Sequence, residues 1–102
     1  MKIPKKIKIG GLWFEVKESQ EVANQSNVFG SLHSRQQKIF LEKSETQQRK
    51  EQTFFHEILH GIWQQAGLCE RYRGDQEKIE EEIVSALASG LYQVLKDNKL
   101  LK

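Results

Sequence analysis

The sequence predicts an α+β fold in which a small antiparallel sheet of about four strands packs against two long helices. Three observations lead to this fold class. Short segments of alternating polarity separated by turn residues fill the front half of the chain, two long segments with helical periodicity follow, and no repeat or low-complexity linker divides the two halves. A chain of 102 residues has room for one hydrophobic core. We therefore expect residues 1–102 to form a single domain.

The first predicted element is a β-hairpin near the N-terminus. Ile7 and Ile9 alternate with lysines, and the pair Gly10-Gly11 favours a tight turn. Apolar residues then recur at every second position from 12 to 16, as expected for a half-buried strand. We expect the interleaved lysines to protect an edge of the sheet rather than to bind phosphate.

A second hairpin is predicted before the helical half of the chain. Residues 19–27 are polar and predict a loop. Segments 28–33 and 38–42 are rich in apolar residues and are separated by four polar ones, which is typical of two paired strands. The whole sheet is therefore expected within about residues 5–42.

The segment after the sheet has the pattern of a long amphipathic helix. Ser44 and Gln47 have the spacing of a capping box, which predicts a helix that begins near Glu45. Gly67 is a typical stop signal, so the helix is expected over about residues 45–66. Its core-facing residues, at spacings of three and four, are predicted to be Phe55, Leu59, Ile62, Trp63 and Ala66.

A second long helix is predicted towards the C-terminal end. Asp75 is a favourable N-cap, and helical periodicity continues over about residues 76–97. The connection over about 67–75 is short enough to fold the two helices antiparallel. The buried stripe of this helix is predicted to contain Ile83 or Val84, together with Leu87, Ala88, Leu91, Tyr92 and Leu95.

The first helix contains the pentapeptide His56-Glu57-Ile58-Leu59-His60, an HExxH motif. Residues four apart on a helix lie one turn apart on the same face, so the imidazoles of His56 and His60 can reach one metal ion. Glu57 is then placed to act as general base on a zinc-bound water. Catalytic zinc usually takes three protein ligands and keeps one position open, so a third ligand is needed.

Three consecutive glutamates near the start of the second helix are the main candidates for that third ligand. Glu81 lies three residues before Val84 and seven before Ala88, so it shares their face and is the preferred ligand. Glu82 is the first alternative. Antiparallel packing of the two helices would bring this acidic run alongside the histidines.

Other polar residues near the motif have simpler explanations. Glu80 and Glu82 are expected to be solvated residues in the first turns of a helix, where the helix dipole favours a negative charge. Cys69 is a further candidate ligand but is better explained as a small buried residue. A hydrolytic site also needs a donor to the oxyanion of the transition state. The candidates for that donor are Tyr72, His33 and Arg35.

Composition restricts the partners and the compartment. Hydrophobic residues make up 37% of the chain, charged residues 29%, and the net charge is +2, which argues against a nucleic-acid partner. No apolar run approaches the roughly 20 residues that span a bilayer and no secretory signal is visible, so we expect no membrane partner. The single cysteine excludes an intrachain disulfide and fits the cytoplasm. Nothing in the sequence specifies an oligomeric state.

Two segments give the chain a resemblance to a known family. Residues 54–61 contain the HExxH motif, and residues 81–88 contain the preferred third ligand followed by small and apolar residues. Together they resemble the metal-binding helices of compact, gluzincin-type metallopeptidase-like proteins encoded by phages and mobile elements, which are related to the ImmA/IrrE group. The resemblance extends over about residues 28–97 and is specific only at the two helices.

The resemblance implies a minimal zincin-like fold and zinc-dependent hydrolysis of a peptide bond in a protein or peptide substrate. The implied zinc ligands are His56, His60 and Glu81, with Glu57 as the base. In the larger relatives the implied substrate is a repressor protein, but this chain carries no recognisable DNA-binding or sensor domain. The alternative function is that of a non-catalytic zinc-stabilised binding or accessory protein, because so small a domain gains stability from a metal. A metal-free accessory module is a third interpretation.

Overall fold

The computed structural model describes residues 1–20, 29–72 and 76–101. Most of the loop predicted over 19–27 and the N-cap predicted at Asp75 lie outside these residues. Within them the chain forms four strands and three helices, which confirms the predicted α+β class. The helices number one more than predicted because a single short turn of helix lies between the two long ones.

The four strands form one mixed sheet. Both hairpins are confirmed, since β1 pairs antiparallel with β2 and β3 pairs antiparallel with β4. The order across the sheet is β1-β2-β4-β3, and the central strands β2 and β4 run parallel, so the prediction of a fully antiparallel sheet is wrong. The strands are β1 (Lys6–Ile9), β2 (Leu12–Ser19), β3 (Gly30–His33) and β4 (Lys38–Glu42).

Burial explains why β4 lies in the middle of the sheet. Its side chains Ile39 and Leu41 are fully buried, so this strand gains most from neighbours on both sides. Hairpin signals in a sequence specify the pairing within each hairpin, not the direction in which two hairpins join. The turn between β1 and β2 follows the prediction, because Gly10 and Gly11 both have positive φ angles, +57° and +92°.

The first long helix, α1 (Gln47–Gln65), begins two residues later than predicted. Its N-cap is Thr46, whose side-chain oxygen accepts a hydrogen bond from the backbone N–H of Arg49 at 3.2 Å. Ser44, the predicted cap, donates its hydroxyl to Glu42 at the end of β4 instead. The predicted end is confirmed, because the helix stops just before Gly67, which takes a left-handed conformation.

The buried face of α1 is rotated relative to the predicted stripe. Phe54 is 2% exposed, whereas Ile62 is 48% exposed and Ala66 is also exposed. Of the five predicted core residues only Trp63 is fully buried. The spacing of apolar residues does not reveal this face, because two of its buried residues are glutamates and a third is a glycine. The buried residues of α1 are Glu51, Phe54, Glu57, Gly61 and Trp63.

Two glycines let α1 lie close to the sheet. A Cβ atom at Gly61 would lie 2.9 Å from Ile9 Cδ1, and one at Gly30 would lie 2.5 Å from Thr53 Cγ2. These close approaches connect α1 to β1 and β3, at the two edges of the described sheet. The core between α1 and the sheet consists of Ile9, Phe14, Ile39, Leu41 and Phe54.

The remaining helices are α2 (Leu68–Arg71) and α3 (Gln76–Asp97). α3 packs on α1 rather than on the sheet, so the layers follow the order sheet, α1, α3, and not two helices side by side on one sheet. Val84, Ala88 and Tyr92 are buried as predicted, with Val84 rather than Ile83 at the first position. Of the other predicted core positions, Leu87 and Leu91 are exposed and Leu95 is half-buried, because the apolar surface of α3 is wide and periodicity does not show which part is covered.

A buried carboxylate connects α1 to α3. Glu51 is 3% exposed, and it accepts hydrogen bonds from the Tyr92 hydroxyl at 3.0 Å and the Gln47 amide at 3.1 Å. The Met1 ammonium lies 3.4 Å from the same carboxylate. Burial by itself would raise the pKa of Glu51, but these hydrogen bonds and the ammonium charge outweigh it and lower the pKa. The cluster is therefore a satisfied structural contact between the two helices.

Candidate metal centre

The two histidines of the HExxH motif lie one helical turn apart on α1 and face each other. His56 and His60 are both half-buried, and their Nε2 atoms are 3.1 Å apart. Burial lowers the pKa of His56; the charge of Glu81 opposes this without cancelling it, and the neighbouring His60 adds to the lowering. A neutral imidazole is the form that binds a metal ion, so this environment favours the ligand state.

Glu81 of α3 brings a carboxylate to the same point. Its Oε1 lies 3.1 Å from His56 Nε2 and its Oε2 lies 3.0 Å from His60 Nε2. One ligand atom from each of the three residues lies within 4.8 Å of the others. The structure thus brings together the three side chains that the sequence nominates as metal ligands, and Glu82, the alternative, is exposed and outside this cluster.

The facing of α3 explains the convergence. Val84 and Ala88 are buried against α1, and Glu81 stands one turn before Val84 on the same face of the helix. Because α3 runs back along α1, the first turns of α3 meet the second half of α1, where the motif lies. The position of Glu81 beside the histidines therefore follows from helical spacing and the short connection between the two helices.

Glu80 has a role that the sequence analysis did not predict. It is mostly buried, and its Oε2 accepts a hydrogen bond from Nδ1 of His60. A proton on Nδ1 leaves the lone pair of Nε2 directed at the cluster, which is the tautomer that a metal requires. The expectation that Glu80 is a solvated residue is therefore wrong. A signal was available, because a ligating imidazole normally needs a carboxylate or carbonyl on its other nitrogen.

Two further side chains, Ser85 and Cys69, make polar contacts with Glu81 and Glu80. The Ser85 hydroxyl donates to Glu81 Oε1 at 3.0 Å, one turn along α3. The Cys69 thiol lies 3.9 Å from Glu80 Oε1 and so contacts the cluster indirectly, without being one of its ligand atoms. Ser85 was missed because a serine within a helix carries no distinctive sequence signal, although its spacing of four from Glu81 is favourable.

Glu57, the predicted base, is enclosed beside the histidines. It is 7% exposed, and its pKa is raised to about 7. Burial is the largest cause; His60 opposes the rise, and the charges of Glu81 and Glu80 add to it. A carboxyl group with a pKa near neutrality can both accept and return a proton at physiological pH.

These residues open into a cleft of about 600 Å³ between β3 and α3. At its β3 end, Arg49 lies over the ring of Phe29, with 4.5 Å between the guanidinium carbon and the ring centroid. Gly30, at the start of the outermost described strand, also lines the cleft. The remaining lining residues are Gln52, Thr53, His56, Glu57, His60, Glu81, Ser85, Ala88 and Ser89.

A second cavity, of about 700 Å³, lies between the N-terminal segment and β2. It is lined by residues 1–5, residues 15–18 and Gln47, and it contains neither a histidine nor a cysteine. The groups that could perform chemistry lie at the smaller cleft. We therefore assign the functional site to the cleft that contains the HExxH motif.

The three predicted oxyanion donors do not line this cleft. Tyr72 packs against Trp63, with 5.9 Å between the ring centroids. His33 hydrogen-bonds the Ser31 hydroxyl and meets the ring of Phe40 edge-on. Arg35 lies in the exposed turn between β3 and β4. Among the described residues the cation that does line the cleft is Arg49, which no sequence pattern singled out.

The fold and the site together define an α+β protein with a candidate metal centre at the junction of two antiparallel helices. The donor set fits a divalent cation, because two imidazole nitrogens and one carboxylate converge on the same point. Comparison of the chain with protein-family models, with curated proteins and with solved structures found no match. No helix among the described residues is long and apolar enough to cross a membrane.

Proposed function

We propose that this protein is a zinc-dependent metallopeptidase in which His56, His60 and Glu81 hold the ion and Glu57 is the general base. One observation carries the proposal. Two imidazole nitrogens and a carboxylate converge within 4.8 Å of one another, beside a buried glutamate and at the wall of an open cleft. This is the arrangement implied by the resemblance to small gluzincin-type proteins.

The choice of zinc follows from the chemistry of the donors. Two histidines and one glutamate are a common ligand set of catalytic zinc, and three protein ligands leave a position open for water or substrate. Nitrogens about 2.0–2.1 Å from a tetrahedral ion would lie about 3.3 Å apart. The observed separation between His56 Nε2 and His60 Nε2 is 3.1 Å, so little movement is needed. Glu80, bonded to the far nitrogen of His60, adds the support that such ligands normally have.

The proposed reaction divides between the ion and the chain. Zinc bound at this position supplies Lewis-acid activation of a water molecule and of a substrate carbonyl. Glu57 accepts the proton of the attacking water and later delivers it to the leaving amine, the two proton transfers that a carboxylate beside the reacting atoms can make.

The position of β3 supports a peptide substrate. β3 is the last strand in the order of the described sheet, and its first residue, Gly30, lines the cleft together with Phe29. An extended peptide that pairs with this edge as an additional strand would run past the histidines and present a carbonyl to the ion. Arg49 beside Phe29 offers a positive charge to one end of such a peptide.

One observation favours the alternative of a non-catalytic zinc-stabilised binding or accessory protein. None of the predicted oxyanion donors lines the cleft, so stabilisation of the transition state would fall to the ion and to whatever the substrate itself supplies. A metal that joins α1 to α3 would stabilise so small a domain without any reaction.

Glu57→Gln separates the two functions. The variant keeps shape and burial but cannot accept a proton, so we expect unchanged zinc content and a loss of peptide hydrolysis of about 10²–10⁴-fold. The measurements are elemental analysis of untagged protein and cleavage of a peptide library followed by mass spectrometry. Glu82→Gln, at an exposed position on α3, is the matched control and should leave both unchanged. Wild-type protein that binds zinc but cleaves nothing would favour the binding function, and absence of bound zinc would exclude both.

A further inference from the structure

α3 carries a second apolar face, beside the stripe that contacts α1. The four large side chains of this face are 41–58% exposed, so the rest of the chain leaves it largely open to solvent. Single exposed apolar residues are ordinary, but a contiguous stripe of them marks an interaction surface. This face, named the α3 seam, consists of Ile83, Ala86, Leu87, Gly90, Leu91 and Val94.

The spacing of the α3 seam is that of a helix interface. Its members recur at intervals of three and four over twelve residues, or about 16 Å of helix. No charged residue interrupts it. A helix whose apolar surface is wider than its contact with one neighbour normally has a second partner, and α1 covers only part of the apolar surface of α3.

We propose that the α3 seam binds the same seam of a second copy of this chain, with the two α3 helices antiparallel. In one antiparallel register Leu87 lies opposite Gly90 of the other copy, and Ile83 lies opposite Val94. Ala86 then lies opposite Leu91 in the same register. Two of the three pairs place a large side chain over a small one, which is how helix surfaces interlock. Two-fold symmetry makes every contact occur twice, as in an isologous dimer.

Gly90 supports this occupant independently. Glycine disfavours the interior of a helix, and a Cβ at this position would meet nothing within 4 Å in the chain itself. Nothing inside the described fold therefore requires a glycine here. In the proposed dimer, the Leu87 side chain of the other copy occupies the space that the absent Cβ of Gly90 leaves at the helix surface.

The charges along α3 favour an antiparallel partner. Residues 77–82 contain four glutamates and one lysine, whereas Lys96, Asp97 and Lys99 leave the other end of the helix net positive. An antiparallel pair places the acidic end of one helix against the basic end of the other, and the helix dipoles oppose as well. A parallel pair would place the two acidic ends together.

The proposed dimer leaves the cleft accessible and does not rest on the proposed function. Ser85 and Ser89 line the cleft from α3, and each lies two residues before a member of the seam. Residues two apart on a helix point about 200° away from each other. The cleft and the α3 seam are therefore on opposite sides of α3, so loss of one is separable from loss of the other.

Sedimentation equilibrium of the full chain tests the proposal. The wild-type protein should approach twice the 11.9 kDa chain mass in the micromolar range. Leu87→Glu places a charge in the seam and should raise the dissociation constant by at least about tenfold. Ser89→Glu adds the same charge two residues before Leu91, on the other side of α3, and should change it less than about twofold. A wild-type protein that stays monomeric into the millimolar range, or equal effects of the two variants, would overturn the proposal.

Gly90→Leu tests the register without endangering the fold. The added side chain points into open space in the single chain and improves helix propensity, so thermal stability of the monomer should not fall. In the dimer it collides with Leu87 of the other copy, and the dissociation constant should again rise at least about tenfold. A dimer broken by Leu87→Glu but indifferent to Gly90→Leu would overturn the proposed antiparallel register.

Discussion

Two polar clusters join α1 to α3, and they differ in whether the charges within each are balanced by neighbouring groups. At one end of the contact, the Glu51 carboxylate is surrounded by donors, including the Tyr92 hydroxyl, and its pKa is lowered. At the other end, the ring nitrogens of His56 and His60 point at each other, and the pKa of Glu57 is raised. Both clusters lie between the same two helices, and each contains a buried glutamate of α1.

The difference separates a structural polar cluster from a functional one. Around Glu51 every partner stabilises the single negative charge, so the cluster is complete as it stands. Around the histidines, two ring nitrogens and a carboxylate converge on one point, and the charges of Glu80 and Glu81 raise the pKa of the nearby Glu57. Such crowding costs stability unless a cation enters, which is why the second cluster is the candidate metal centre.

The largest effect that separates the clusters is expected from Glu81→Ala. Loss of a carboxylate ligand should weaken zinc binding by more than about 100-fold, beyond what supporting residues contribute. Glu82→Ala, one residue further along α3 and exposed, is the matched control and should bind as wild type. Competition with a fluorescent chelator measures both. The reverse ranking would show that α3 presents a different face to the histidines.

A smaller loss is expected from Glu80→Gln. The amide can still accept from His60 Nδ1 but no longer carries the charge that makes the imidazole a stronger donor to a metal. Zinc affinity should fall by about 10–100-fold while the number of bound ions stays the same. The same chelator titration checks this. Unchanged zinc affinity would show that Glu80 does not support His60 as a metal ligand.

Glu51→Gln is expected to affect folding and not the metal. Removal of a buried, fully bonded carboxylate should lower the free energy of unfolding by about 2 kcal/mol, while zinc affinity of the folded protein is retained. Because the folded-state pKa of Glu51 lies below its ordinary value of 4.5, its contribution is complete above that value and is lost as pH falls through the lowered pKa. Thermal melts of both proteins between about pH 3 and pH 7 should therefore converge in acid. Equal separation at every pH would contradict the assignment.

The smallest effect is expected from Ser85→Ala. The hydroxyl donates one hydrogen bond to Glu81, and its removal should cost about 0.5–1.5 kcal/mol of zinc binding free energy. Ser89→Ala, one turn further along the same side of α3, is the control and should leave zinc affinity unchanged. Calorimetric titration resolves a difference of this size. A loss as large as that of Glu80→Gln would mean that Ser85 does more than orient the carboxylate.

Local patterns in the sequence predicted much of this molecule. Both hairpins follow from alternation and the Gly10-Gly11 turn, and the placement of Glu81 beside the histidines follows from counting along α3. Features that depend on the choice between equivalent packings could not be predicted. The parallel pairing of β2 with β4 is one, and the burial of Val84 rather than Leu87 is another. Glu80 escaped prediction because its partner is a single ring nitrogen on another helix.

The glycine that follows the second histidine lets α1 approach β1 closely beside the candidate ligands. A Cβ atom at Gly61 would lie 2.9 Å from the δ-methyl of Ile9, so a larger residue there requires this side chain to shift. Ile9 belongs to the buried core between α1 and the sheet, so the shift would be felt in that packing. A substitution next to His60 would thus act on the core, although it removes no atom that could bind a cation.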